Sequence, residues 1–310
     1  MRILVTGATT PLGGEVVRRL LTDPAVEHVL EAGAEPFLGD APRLSYRRCD
    51  LTRERAVHDL VHGDARAHGV DTVIHLALHR SARDEGPRIH ARNVLALRQL
   101  LAACAEVPTI ARFVYPSSAA VYALRASGPA LLDEDAALEF DPEAPQWIRD
   151  RVEADLTVCA RMGMSRLAIV VLRTAEILAP DTGSQLWDYL RSRVCLRPLG
   201  FDPMINVISL EDAAAAVVLA AGARGQGVYN VAGADTLPLS RLIARWGRRD
   251  LPVPRPLLAP LYRLRAGATG LEFRFDLNLR RFQFGGLIDD ARARADLGYR
   301  PTHPLRWPRA

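Results

Sequence analysis

The sequence predicts an α/β protein, a doubly wound parallel sheet followed by a smaller, less regular C-terminal lobe. Three observations predict it. Apolar runs of strand length recur between amphipathic segments of helical period, the pattern of strands buried on both faces with helices over each side. A glycine-rich turn, TGATTPLGG (residues 6–14), directly follows the first of these strands. After Leu178 the alternation loosens and proline becomes frequent, above all in LPVPRPLLAPLYRLRAG (251–267).

Taken in order, RILVTGA (2–8) reads as the first strand and GGEVVRRLL (13–21) as the helix behind it. VEHVLEA (26–32) is a second strand, and LSYRRCDL (44–51) a third, followed by the helical RAVHDLVHG (55–63). DTVIHLAL (71–78) leads into the helix ARNVLALRQLLAAC (91–104), and ARFVYPSS (111–118) and RLAIVVLR (166–173) are further buried strands. Core-like strands return at INVIS (205–209) and GVYNVAG (227–233). This organisation predicts one domain from 1–178 plus about 205–235. It leaves about 179–204 plus 236–310 for a lobe that closes over the carboxyl ends of the strands.

All 40 basic residues among the 310 are arginine, against 36 acidic ones, for a net charge of +4 and a pI near 9.1. That balance suits an anionic small molecule and is too diffuse for nucleic acid. Four widely spaced cysteines (Cys49, Cys104, Cys159, Cys195) form no CxxC, which predicts reduced thiols in a cytoplasm. No charged region with a cleavage site precedes RILVTGA, so no export signal is expected. The longest apolar run, AAAAVVLAAGA from Ala213, is too short to span a bilayer, and no membrane partner is expected.

Gly7 and Gly13 stand six apart at a strand-to-helix junction, where backbone N–H groups and the helix N-terminus can hold a pyrophosphate. A tight turn without a ligand is the plainer alternative. Thr10 occupies the middle position and restricts backbone approach.

These segments together resemble the extended short-chain dehydrogenase/reductases, the NAD-dependent epimerase/dehydratase group, over nearly the whole chain. TGATTPLG resembles that family's TGxxGxxG, CDL (49–51) its third-strand end, HLAL (75–78) its HLAA run, and NVLALRQLLAAC (93–104) its N-V-x-G-T helix. FVYPSSAAVY (113–122) is similar to the strand carrying the family's active-site Ser. VVLRTAEILAP, NVISLEDAA, GVYNVAG and IDDARARADLGYRP match its later motifs. The resemblance implies a Rossmann fold and an NAD or NADP cofactor held by Gly7, Thr9, Thr10, Pro11, Leu12 and Gly13, by Asp50 and Leu51, by Leu76, Ala77 and Leu78, and by Asn93. It also implies a small-molecule substrate, anionic or nucleotide-linked in several members, and is compatible with a homodimer.

In that family a Ser and a Tyr-x-x-x-Lys pair form the site, the Tyr passing the proton and the Lys ammonium holding the nicotinamide ribose. Ser118 matches the Ser. Trp147 and Arg151 stand where the Tyr and Lys would, four apart on QWIRDRVEAD (146–155) and hence on one helical face. Arg keeps the charge in a different shape. Indole donates a hydrogen bond but has no proton to give, so general acid–base catalysis from that position is lost, at a cost of ~10²–10⁴-fold in rate.

Three readings follow: an oxidoreductase with non-standard proton handling, a binding protein without turnover, or a non-redox lyase or isomerase. Tyr115, Tyr122, Asp150 and Glu153 are the alternative proton donors. Trp147 is expected to wall the cleft, with His79, Ser118 and Tyr122 towards the substrate. Arg151 is expected to reach the cofactor ribose or a substrate anion.

Cofactor choice rests on register. If the second strand ends at VEHVLE, Glu31 receives the ribose hydroxyls and NAD is favoured; two residues further, Gly33 stands there and the preference disappears. No Arg occupies either position, which tilts the choice slightly to NAD. His58 and His62 lie i,i+4 without a third ligand, so no metal site is expected. The arginines of the later half read as solvated surface, one or two of them serving a substrate anion, and PLLAPLYRLRAG (256–267) lacks a clean membrane-surface pattern.

Overall fold

The computed structural model of the chain describes residues 1–38, 41–269 and 273–308. Seven strands form one parallel sheet: β1 (Arg2–Thr6), β2 (His28–Gly33), β3 (Leu44–Arg48), β4 (Thr72–His75), β5 (Arg112–Ser118), β6 (Ala168–Thr174) and β7 (Gly227–Val231). Their order is β7-β6-β5-β4-β1-β2-β3. The chain's direction of travel reverses between β1 and β4, so the loops leaving these two strands part and open a crevice at their carboxyl ends.

Alternation along each strand feeds two cores. Ile3 and Val5 of β1, with Ile74 and Val114, pack under helices α1 (Pro11–Thr22) and α5 (Leu210–Gly222). Leu4, Val73 and Phe113 face the other way. They meet α2 (Glu54–His58, continued as a wider turn over Asp59–Ala65), α3 (Pro87–His90 running through Ala91–Leu95 into Ala96–Glu106) and α4 (Gln146–Cys159). Burial on both faces is why these strands read as unbroken apolar runs.

A third core lies in the later half, built around Leu186, Tyr189, Leu242, Ile243, Trp246, Phe273 and Phe282. Strands Val194–Pro198 and Arg249–Val253 pair in parallel beside it. The segment INVIS departs from its expected place. Strand Met204–Ile208 is not part of the seven-stranded sheet but pairs with Glu176–Ile177 and, antiparallel, with Asp235–Pro238. The position beside β6 is taken by β7, and Ile205 and Val207 turn instead into the third core while Ile208 reaches the first. PLLAPLYRLRAG forms part of a helix, Arg255–Thr269, with Leu258 and Tyr262 buried. No helix among the described residues is long and apolar enough to cross a membrane.

Candidate active site

A cavity of about 450 Å³ opens at the carboxyl ends of β5 and β6, bounded by α4 on one side and by the lobe segment 276–288 on another. Thr10, Pro11, Leu12, Leu76, Leu78, His79, Ser118, Tyr122, Trp147 and Arg151, all singled out from sequence, line it together.

The turn after β1 is built by close packing. Gly7 has φ +78°, and a Cβ there would lie 2.5 Å from the Ala77 amide nitrogen; a Cβ on Gly13 would overlap the Gly7 carbonyl oxygen. Both glycines therefore let the turn lie against the end of β4 and against itself. Thr10 caps α1, its Oγ1 donating to the Gly7 carbonyl (2.8 Å) and accepting from the Gly13 N–H (3.0 Å). Pro11 at the first helical position has no N–H. Of the first-turn amides, Gly13 and Gly14 both donate to Thr10.

On α4 the Arg151 guanidinium lies flat over the Trp147 indole, 3.3 Å from the ring centroid, and donates to the Trp147 carbonyl (3.0 Å). No carboxylate pairs with it among the described residues, and desolvation lowers its pKa to about 10. The Trp147 Nε1 is buried and has no hydrogen-bond partner among the described residues. Indole and guanidinium thus form a wall that carries a desolvated positive charge, and the indole has no dissociable proton.

Three of the four alternative proton donors are committed elsewhere. The Tyr122 hydroxyl donates to Asn230 Oδ1 (2.7 Å) and accepts from Arg173 (3.2 Å), inside a buried network in which Arg173 also pairs with Asp155 (2.7 Å). Asp150 accepts from Asn93 (3.2 Å) and Gln146 (3.3 Å) and lies 3.0 Å from His90, while Glu153 pairs with Arg98 (3.2 Å). Tyr115 remains: it lines the cavity, interacts electrostatically with Arg151, and burial pushes its phenol well above the usual range. Ser118 caps the short turn after β5, its Oγ accepting from the Ala120 N–H (3.2 Å). His79 turns its ring to Asp84 (2.7 Å).

The adenine-side residues do not reach this cavity. β2 runs on to Gly33, the register in which strand length expresses no cofactor preference. The Glu31 carboxylate is nonetheless buried, with Oε2 accepting from the Phe37 N–H (3.1 Å), Oε1 without a partner among the described residues, and its pKa raised by desolvation. Asp50 is exposed and closes a local turn through Thr52, whose hydrogen bonds lower its pKa. Asn93 is a strut: its Oδ1 accepts from the His79 N–H (2.9 Å) and its amide donates to Asp150, because it faces α4 rather than the crevice.

The lobe arginines expected to serve a substrate anion are already paired where they meet the cavity. Arg280 is held by Glu139 and by Asp141 (3.0 Å), and Arg281 by Glu176, which also accepts from Ser184 (2.5 Å) and the Leu186 N–H (2.6 Å). Glu139 and Asp141 lie in no motif, and Glu176, although inside VVLRTAEILAP, has no sequence signal that pairs it with Arg281. Among the described residues no cluster of His, Cys, Asp or Glu is suited to a metal ion.

A protein of Mycobacterium tuberculosis is 29% identical over 310 residues, covering 96% of this chain and 80% of that one. A 3-diazoavenalumate denitrifying reductase of Streptomyces is 28% identical over 316 residues, covering 98% and 97%. Among solved structures, MoeE5 in complex with UDP-glucuronic acid and NAD has the same fold, with a TM-score of 0.69 at 20% identity, covering 98% and 95%. Residues 3–232, from β1 through the end of β7, match the model of the NAD dependent epimerase/dehydratase family, and the chain belongs to that family.

Proposed function

We propose that this protein is a nicotinamide-dependent reductase of a small anionic molecule, one that takes up hydride at a centre needing no simultaneous proton from the protein. The observation that carries this reading is the Trp147–Arg151 stack, which fills the cavity wall with charge and aromatic surface and sets at position 147 an indole that has no proton to give. Tyr115 fits the same reading, since a phenol whose pKa is raised by burial holds its proton.

The residues present fit a dinucleotide. The Gly7–Gly13 turn packs tightly at the end of β1, and the α1 N-terminus that follows it suits a pyrophosphate. The unpartnered Glu31 oxygen suits ribose hydroxyls, and its carboxylate would repel a 2′-phosphate, which favours NAD over NADP. When bound, the dinucleotide supplies the hydride. Trp147 stacks on a flat ligand and keeps water out, and Arg151, a half-buried cation with no carboxylate paired to it among the described residues, receives the ligand's anion. The Streptomyces relative supports this reading, because its name describes reduction of a diazo compound with loss of nitrogen, chemistry in which hydride replaces a leaving group.

Calorimetry with NADH and NADPH, followed by NADH consumption on two probes, tests the proposal. A carboxylated arenediazonium salt is expected to be reduced above its uncatalysed rate with a flat pH profile, and the matching aromatic keto acid is expected to be inert. Absence of dinucleotide affinity, or keto-acid reduction with a bell-shaped pH profile, overturns it.

A further inference from the structure

We infer that the exposed face of helix Arg255–Thr269 docks this protein onto an anionic lipid surface. Leu258 and Tyr262 bury one side of the helix in the lobe core. Leu257, Leu261 and Leu264, spaced four and three apart, form a second stripe that is 53, 39 and 74% exposed. None of the described residues covers that stripe, and on the preceding strand Leu251 is a further exposed leucine, at 49%.

Charge selects the occupant. Residues 239–266 contain seven arginines and a single acidic residue, Asp250, which is taken up by Arg197 at 2.7 Å. Arg249, Arg255 and Arg263 are exposed beside the leucines. The polarity extends to the whole chain. Residues 179–204 with 236–310 hold 18 arginines against nine acidic residues, and the remainder holds 22 against 27.

An anionic surface therefore attracts one side of the molecule and repels the other, while a second copy presenting the same basic face is repelled. Exposed leucines flanked by arginines match the interfacial mode, in which apolar side chains enter the headgroup boundary and cations meet the phosphates. This peripheral mode needs no spanning helix, and it departs from the expectation that no membrane partner is involved.

The test floats the full chain with vesicles of phosphatidylcholine alone and of phosphatidylcholine with phosphatidylglycerol, and titrates it with soluble polyglutamate. Binding is expected only to the anionic vesicles, and it should weaken as salt is raised. Leu257→Ser with Leu261→Ser and Leu264→Ser should lower vesicle binding about a hundredfold or more. Each of Arg255→Gln and Arg263→Gln should lower it about fivefold.

NADH affinity, carried by a different part of the molecule, is expected to stay unchanged in all of these variants and reports that they fold. The inference is overturned by equal binding to both vesicle types, or by no vesicle binding. Polyglutamate binding as tight as vesicle binding and indifferent to the leucines would also overturn it. So would self-association that the leucine variant abolishes, which would make the stripe a contact between copies.

Discussion

At Arg151 a guanidinium is desolvated by stacking on indole, yet its hydrogen bond goes to a backbone carbonyl rather than to a counter-ion. A half-buried cation left in this state weakens the free protein and strengthens whatever anion it binds. Arg151→Ala is therefore expected to leave the thermal midpoint of the free protein unchanged or raised, while lowering ligand affinity about tenfold or more, the value of a charge-assisted hydrogen bond. Calorimetry and thermal melts on one preparation check both arms; loss of stability together with binding would make Arg151 a structural residue. Trp147→Phe and Tyr115→Phe are each expected to leave turnover within about tenfold, or ~1.4 kcal/mol of barrier. A thousandfold loss in Tyr115→Phe, with binding intact, would identify the proton donor that the proposed function does without, and the same loss in Trp147→Phe would give the indole a catalytic duty in positioning the ligand.

The first turn of α1 shows how one element sets the strength of a site. Thr10 satisfies the Gly13 N–H through its side chain, and Pro11 has no N–H to offer. The helix start is well capped and correspondingly poor in donors for a phosphate. Pro11→Ala restores one amide at a position where proline is structurally comfortable but chemically silent. Dinucleotide affinity is expected to rise about tenfold, as one hydrogen bond to a charged group would give. Unchanged affinity in the calorimeter would mean that the pyrophosphate is not held at this turn.

At the scale of the whole molecule, His75 sits at the end of β4 with no exposed surface, one ring nitrogen 2.7 Å from Thr6 Oγ1 and the other unpartnered. Burial lowers its pKa to about 4, so it is neutral in the folded protein. The unfolded chain takes up a proton at this ring below about pH 6.5, whereas the folded chain does so only near pH 4. The contribution is complete above pH 6.5 and is lost as pH falls towards 4, amounting to about 3 kcal/mol. Urea unfolding of the native chain and His75→Gln across that window checks it. The variant should lose less stability on acidification, and parallel curves would show that His75 does not drive the acid sensitivity.

The strand and helix alternation, the glycine turn, and the shared helical face of Trp147 and Arg151 were legible because each is a local pattern within one element. Hydrophobic period reports burial, and motif spacing reports which side chains share a helical face. The rest required the folded chain. Strand Met204–Ile208 reads like a sheet strand but turns into the third core, since a buried apolar run does not say which core buries it. Glu31 and Gly33 could not be told apart until β2 was seen to run to Gly33, with the Glu31 carboxylate buried beneath the following loop. Arg280 and Arg281 read as free surface cations, yet they meet Glu139 and Glu176 across 141 and 105 residues of chain. Such pairings arise from the docking of one core against another, and local periodicity carries no record of that contact.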